Sequence, residues 1–305
     1  MFAQSWPTRQ LTIVYPFAAG SSADILARLL AARLSELLGQ PVIVENVAGA
    51  GGMTGSYRVA KASPDGYQMV LGGTFMTLNQ SLYKKPLYNL ATDFAPIALV
   101  AELPAVLIAR KDLPASNLQE FIAYAKANEA SMHYASLGVG SAPHLTCTLL
   151  NAAAGLNVTH VPYRNTAEPV QEIMAGRVDY FCPLAALAIP QIQSKTVKGI
   201  ATFSRNRLPV LPNLASAREQ GTDLEVLTWY ALLLPRDTPV PIVQKLHDAT
   251  VVAMATPEIQ EKLAALGYTM IDSDRQSSAY LQKFVEREIA KWGDVIRAAG
   301  VMPVD

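Results

Sequence analysis

The chain has 305 residues, half of them apolar and 16% charged, with Lys plus Arg and Asp plus Glu balanced at 25 each. That balance excludes a disordered chain, and with no basic run of five residues it offers no surface for nucleic acid or an anionic membrane. No apolar run reaches the roughly 18 residues of a membrane span, and the length allows about two domains.

Met1 to Ser5 lacks the positive and apolar regions of a signal peptide, so the chain reads as cytosolic, or as a mature exported protein with a start methionine in place of its leader. The first strong feature runs from Leu11 to Leu38. Leu11 to Tyr15 predicts a strand and Pro16 to Ser22 a turn of small residues. Ile25, Leu26, Leu29, Leu30, Leu34, Leu37 and Leu38 then form the one-sided stripe of a helix. Ser21 or Ser22 is expected to cap that helix, Asp24 to suit the positive end of its dipole, and Gly39 to stop it. A strand feeding such a loop aims backbone N–H groups at open space, which makes a seat for an anion.

Pro41 to Glu45 reads as a second strand, leading through Gly49 to Gly52 into a helix over Met53 to Lys61. A dinucleotide fingerprint here would need glycine where Thr54 stands, and Asp65 lies in a turn rather than ending a second strand. Close packing of helix on strand is the plainer reading of these glycines. Tyr67 to Leu71 predicts a strand, and Gly72 to Thr77 another polar turn. Ile97 to Val100 and Ala105 to Ala109 read as strands split by Glu102, Leu103 and Pro104. Asn117 to Ala127 is a helix with Ser116 as its expected cap, and Met132 to Ala135 a strand followed by the loop Ser136 to Ser141. Pro143 suits the start of the next helix. A third such unit follows, with strand Val158 to Val161, loop Pro162 to Thr166, and Thr166 capping a helix to Ala175.

Val178 to Cys182 and Val197 to Phe203 read as strands around a helical turn at Ala188 to Gln193. Leu224 to Leu234 is long for one strand and suits a crossing between domains. The helices Ile242 to Ala255, Pro257 to Leu266 and Asp274 to Ala299 have no strands of their own and are expected to pack back on the first domain. Strands alternating with helices imply parallel α/β sheets. Cys147 and Cys182 are expected as two buried thiols in preference to a bridge.

Several phrases then occur together: Tyr15 to Gly20, Gly39 to Val42 with Glu45 and Asn46, Gly49 to Gly52, Ala60 and Lys61, Pro64 to Tyr67, Asp93 and Phe94. Tyr124 to Lys126, Gly140 and Ser141 with His144 and Leu145, His160 to Tyr163, and Gly176 with Val178 and Asp179 continue the series. On these the chain resembles, from end to end, the substrate-binding proteins of tripartite tricarboxylate transporters, the TctC or Bug family. The resemblance implies a periplasmic α/β protein of the Venus-flytrap type II class, with two domains that are each a mostly parallel sheet flanked by helices. It implies one domain at residues 1–101 plus 228–305, the other at 102–227, and a ligand cleft between them. A small organic carboxylate, membrane permease subunits as partners, a monomeric state and no cofactor are implied with it.

Carried over residue by residue, the family's first carboxylate loop matches Phe17, Ala18, Ala19, Gly20, Ser21, Ser22 and Asp24, and the loop after a later strand includes Thr74 and Phe75. On the facing domain it matches Gly138, Gly140, Ser141 and His144, then Tyr163, Arg164, Asn165 and Thr166, with Asp179 at a strand end. Ser21 stands where the family has a glycine; Arg164 and Asn165 stand where it has lysine and glycine. Backbone amides and hydroxyls hold a carboxylate at less desolvation cost than a lone buried lysine does, and two opposed loops suit a ligand with a carboxylate at each end. Arg164 is the charge-assisted candidate, against a surface ion pair with Glu168. Asp179 suits orienting a donor or a water, since like charges repel. Phe17, Phe75 and Tyr163 as walls favour an aromatic dicarboxylate such as terephthalate, with an aliphatic C4–C6 dicarboxylate as competitor. The alternatives are enzymes: a hydrolase on Ser141, His144 and Asp179, which lacks the G-x-S-x-G elbow, or a nucleotide-dependent enzyme on the Gly49 loop. His133, His144, His160 and His247 show no metal-ligand spacing, and a non-enzymatic protein is expected.

Overall fold

β1 (Leu11–Tyr15) is apolar wherever it is covered on both faces, and it feeds α1 (Ser22–Leu38), whose buried side presents Leu26, Leu30 and Leu34 with Ala23, Ala27 and Ala31 between them. Burying a leucine of this kind contributes about 1.5–3 kcal/mol. The small alanines set the distance at which helix meets sheet, while Ile25 and Leu37, expected within the stripe, point to solvent. These coordinates are a computed structural model describing residues 6–304; the reading of Met1 to Ser5 lies outside the described residues.

The first sheet continues with β2 (Val42–Asn46), α2 (Met53–Ala60), β3 (Gln68–Gly73), α3 (Thr74–Leu82) and β4 (Phe94–Pro104). The chain then builds a second sheet from β5 (Val106–Ala109), α4 (Leu118–Asn128), β6 (His133–Ser136), α5 (Ala142–Ala154), β7 (Thr159–Pro162), α6 (Ala167–Met174), β8 (Tyr180–Phe181), α7 (Ala185–Gln193) and β9 (Lys198–Thr202). It returns through β10 (Leu227–Pro235), α8 (Val240–Met254), α9 (Pro257–Ala265), β11 (Thr269–Met270) and α10 (Ser278–Ala298). Strand orders are β11-β4-β10-β3-β1-β2 and β7-β6-β8-β5-β9.

Both sheets are mixed. β1, β2 and β3 run parallel, as do β6, β7 and β8, whereas β10 is antiparallel to β3 and β4, and β5 to β8 and β9. The parallel halves carry the strand–loop–helix units, and β10 in the first sheet and β5 in the second run against them. The two passages between sheets lie side by side: Ala105 N–H donates to the Val226 carbonyl at 3.0 Å, and Val226 N–H to the Phe203 carbonyl at 2.9 Å.

Several expectations are corrected. β4 runs unbroken through Glu102 to Pro104, because Glu102 is paired to Trp229 on one side and Thr269 on the other while its carboxylate meets Arg275. Gly72 and Gly73 close β3, and Thr74 opens a helix rather than a turn. Asn117, not Ser116, caps α4 by accepting the Glu120 N–H. Cys147 and Cys182 form a disulfide with a Cα–Cα distance of 5.6 Å, since α5 lays its buried face over the end of β8. The late helices do cover the first sheet, with Ser278 Oγ donating to the Ile97 carbonyl, but the last turns of α10 place Trp292 and Ile296 in a core shared with Leu107 and Leu145 of the second sheet's layers.

The bridge closes a loop with 35 residues of separation inside a buried core. Reducing it, or replacing both cysteines by serine, is expected to cost about 2–4 kcal/mol. Urea unfolding with and without a thiol reductant measures the loss.

Candidate functional site

The candidate loops all leave the C-terminal ends of the parallel strands, where an open α/β sheet places its ligand crevice. In the first sheet, Ser21 caps α1, its Oγ accepting the Asp24 N–H at 3.2 Å while it shares a 3.0 Å hydrogen bond with the Tyr15 hydroxyl. Asp24 is buried and fully engaged. Its carboxylate accepts the Gly20 N–H (3.0 Å), the Arg28 guanidinium (3.0 and 3.2 Å) and the Asn46 amide (2.9 Å), and that same amide donates to the Phe17 carbonyl (3.0 Å). Burial would raise its pKa, but Arg28, Asn46 and Gly20 outweigh that and hold the carboxyl below the usual range. Asp24 therefore shapes the loop from behind. Ala18, Ala19, Gly20 and Ser21 remain exposed, and the N–H groups of Ser22 and Ala23 precede the helix ladder.

Phe17 and Phe75 meet edge to face at 4.9 Å, and both rings lie against Gly52, where a Cβ would stand 2.7 Å from Phe75 and 3.1 Å from Phe17. That close approach explains Gly52 without a nucleotide. The Thr74 hydroxyl accepts the Trp229 N–H at 3.0 Å and is buried, so Thr74 fastens α3 to β10.

On the second sheet the turn from Ser136 to His144 is tied to itself. Ser136 Oγ accepts the Gly138 N–H at 3.0 Å, Ser141 Oγ donates to the Gly138 carbonyl at 2.7 Å, and Gly140 N–H donates to His144 Nδ1 at 3.2 Å. His144 is a structural member of this turn, 7% exposed, with its ring 4.5 Å from that of His160, whose Nε2 meets Ser136 Oγ at 2.6 Å. Tyr134 stacks on both imidazoles. Gly140 has φ +79° and a Cβ there would meet Leu82 of α3 at 3.0 Å, so the turn touches the first sheet's layer.

In the third loop, Asn165 rather than Thr166 caps α6: its Oδ1 accepts the N–H groups of Ala167 and Glu168, both at 3.0 Å, and its Nδ2 donates to Glu168. Glu168 is thus taken by Asn165 and the Arg164 N–H. The Arg164 guanidinium, expected to pair with Glu168 or a ligand, is exposed and forms no ion pair among the described residues. Phe17, Leu137 and Tyr163 are half-buried and each packs against the extended apolar cluster that runs through both sheets.

Asp179 corrects the expected set. It stands just before β8, at the strand end opposite the loops, where it accepts from Arg110 Nε and the His133 N–H, both at 2.8 Å. The hydrolase arrangement is not assembled, since Ser141 hydrogen-bonds main chain, His144 Nδ1 is taken by Gly140, and Asp179 is across the sheet. A cavity of about 280 Å³ at the far end of the first sheet holds Arg9 and Arg58, but each is already paired, with Asp65 and Glu45. Sequence reasoning missed Asn46, His160 and Tyr15 as members of the constellation. Asn46 and His160 stood within recognised phrases, but only long-range contacts give them roles.

The family model for the tripartite tricarboxylate transporter family receptor, TctC, matches residues 26–301. The structure of the periplasmic binding protein BugD is 37% identical, with TM-score 0.82 and coverage of 98% of this chain and 100% of that one. MatC from Rhodopseudomonas palustris, solved with bound malate, is 35% identical (TM-score 0.80; 95% and 100% covered), and R. palustris Rpa4515 with adipate is 32% identical (TM-score 0.84; 98% and 100% covered).

The paired imidazoles set a pH dependence. Burial lowers His144, and burial with the neighbouring His144 pushes His160 down to about 4, against about 6.5 in an unfolded chain. Between those values the unfolded chain binds more protons. Stability is therefore complete above pH 6.5 and falls as pH drops toward 4. Melting temperature against pH measures this, and His160→Gln is expected to flatten the slope in that window.

Proposed function

Because the chain belongs to the TctC family of tripartite tricarboxylate transporter receptors, we propose that it is a non-enzymatic, monomeric solute-binding protein that closes over a small dicarboxylate and delivers it to membrane permease subunits. One observation carries the reading: in both sheets the candidate loops leave the C-terminal ends of parallel strands, and the turn holding Gly140 approaches Leu82 in the first sheet's layer. A carboxylate on α1 would meet the N–H groups of Ser22 and Ala23, supplemented by the Ser21 hydroxyl. Its second carboxylate would meet the loops of the second sheet and Arg164. The proposed domains are residues 1–101 plus 228–305 and 102–227, bending where Ala105 and Val226 pass each other. Thr166 and Gly138 belong to the proposed rim, while Asp24, Thr74, His144 and Asn165 hold the loops in shape.

A periplasmic location accords with the buried disulfide, since such bridges persist in oxidising compartments. For the ligand, malate in MatC and adipate in Rpa4515 support aliphatic dicarboxylates. Terephthalate is the aromatic candidate, resting on Phe17, Phe75 and Tyr163, whose rings are all half-buried.

Thermal unfolding with malate, adipate and terephthalate tests the proposal, because a ligand that binds only the folded state raises the midpoint with concentration. At least one is expected to do so. A response to sugars or cations alone would end this reading. Arg164→Ala is expected to weaken the best ligand by about 1–3 kcal/mol, and calorimetric titration giving an unchanged affinity would remove Arg164 from the site.

A further inference from the structure

A helix that begins at a ligand loop carries that loop with it wherever it slides or turns. α5 begins at the second candidate turn and is bonded to it: Ser141 Oγ accepts the His144 N–H at 3.4 Å, and Gly140 N–H donates to His144 Nδ1. The other side of the turn is held by Ser136 at the end of β6. The aim of the turn is therefore set by where α5 sits on the second sheet.

Leu145, Leu150 and Ala154 hold α5 down by apolar packing, which has no direction of its own. Two directional links fix its place, and both run to the β8 segment. Cys147 is bridged to Cys182, and Asn151 Oδ1 accepts the Tyr180 hydroxyl at 2.7 Å. Cys147 and Asn151 stand one helical turn apart on the same face of α5, while Tyr180 and Cys182 alternate onto one face of the extended chain. All four are buried. A single link would leave the helix free to pivot about it; two links a turn apart set both its slide and its rotation. The chain after Cys182 is anchored in turn at the passage between the sheets, where Val106 N–H donates to the Pro183 carbonyl at 2.8 Å and Ala105 bridges to Leu184.

We propose that the Cys147–Cys182 bridge and the Asn151–Tyr180 hydrogen bond form a positioning clamp for ligand binding: they hold α5 so that the Gly138 to Ser141 turn is aimed before the ligand arrives. This rests on the solute-binding reading above and deepens it, by tying the affinity of the site to residues behind it. Without the clamp the turn is correctly aimed for only part of the time, and the apparent dissociation constant rises by the inverse of that fraction. The turn must then be ordered on binding, which makes the binding entropy less favourable.

The test is calorimetric titration with malate, adipate and terephthalate, at a temperature where each protein is folded. Four proteins are compared: the parent, Cys147→Ala with Cys182→Ala, Tyr180→Phe, and Ile200→Val. The last trims the same core on β9, at the far edge of the second sheet, and leaves the clamp in place. For the ligand the parent binds, the double cysteine variant is expected to bind about tenfold more weakly, with a less favourable entropy. Tyr180→Phe is expected to shift in the same direction by less. Ile200→Val is expected to keep the parent's affinity, although its melting temperature falls. Parent affinity in the folded double variant would overturn the clamp and leave the carboxylate reading standing. Should that variant not fold, parent affinity in Tyr180→Phe would do the same. Equal weakening in Ile200→Val would also overturn it, because any loosening of the core would then act alike. A parent that binds none of the three would overturn both.

Discussion

The site depends first on one buried carboxylate. Asp24 draws the Gly20 N–H, the Arg28 guanidinium and the Asn46 amide onto itself, and Asn46 holds the Phe17 carbonyl at the same time. These charge-assisted bonds are stronger than neutral ones, and they join β2 to the loop after β1. The loop is thereby set before any ligand arrives. An anion seated on α1 would meet amides already turned toward it, with little ordering cost. A carboxylate left free at that place would repel the ligand instead; full pairing with Arg28 offsets its charge.

The second sheet reaches a similar end by other chemistry. Its turn is held by Ser136, Ser141 and the imidazole of His144, all bonded to the turn's own main chain. His144 and His160, tilted to each other and each stacked on Tyr134, supply an aromatic support beneath it. One loop is thus organised by a paired charge and the other by neutral polar groups. The Arg164 guanidinium, exposed on the loop after β7, forms no ion pair among the described residues.

Much of the local order was legible from residue patterns. Ser21, Gly39 and the leucines between them give α1 its bounds because capping and amphipathic periodicity act within a few residues. Glu102 and Pro104 misled for the same reason. A charge and a proline read as a break, yet β10 and β11 pair on both sides and Arg275, far along the chain, neutralises the carboxylate. Asp179 looked like a site residue because it borders a strand; only parallel pairing with β6 shows that it borders the wrong end. The disulfide was equally out of reach, since two cysteines carry no geometry until α5 crosses β8. Asn165 and Thr166 are adjacent and both suit a helix cap, and the choice between them falls to the backbone angles at Thr166, which are already helical.

The last helix has a mechanical consequence. α10 is fastened near its start to the first sheet through Ser278, and it ends with Trp292 and Ile296 set into the core beside Leu107 and Leu145. The helix thus acts as a strap between the layers of the two sheets, and parting them there would bring apolar surface into water.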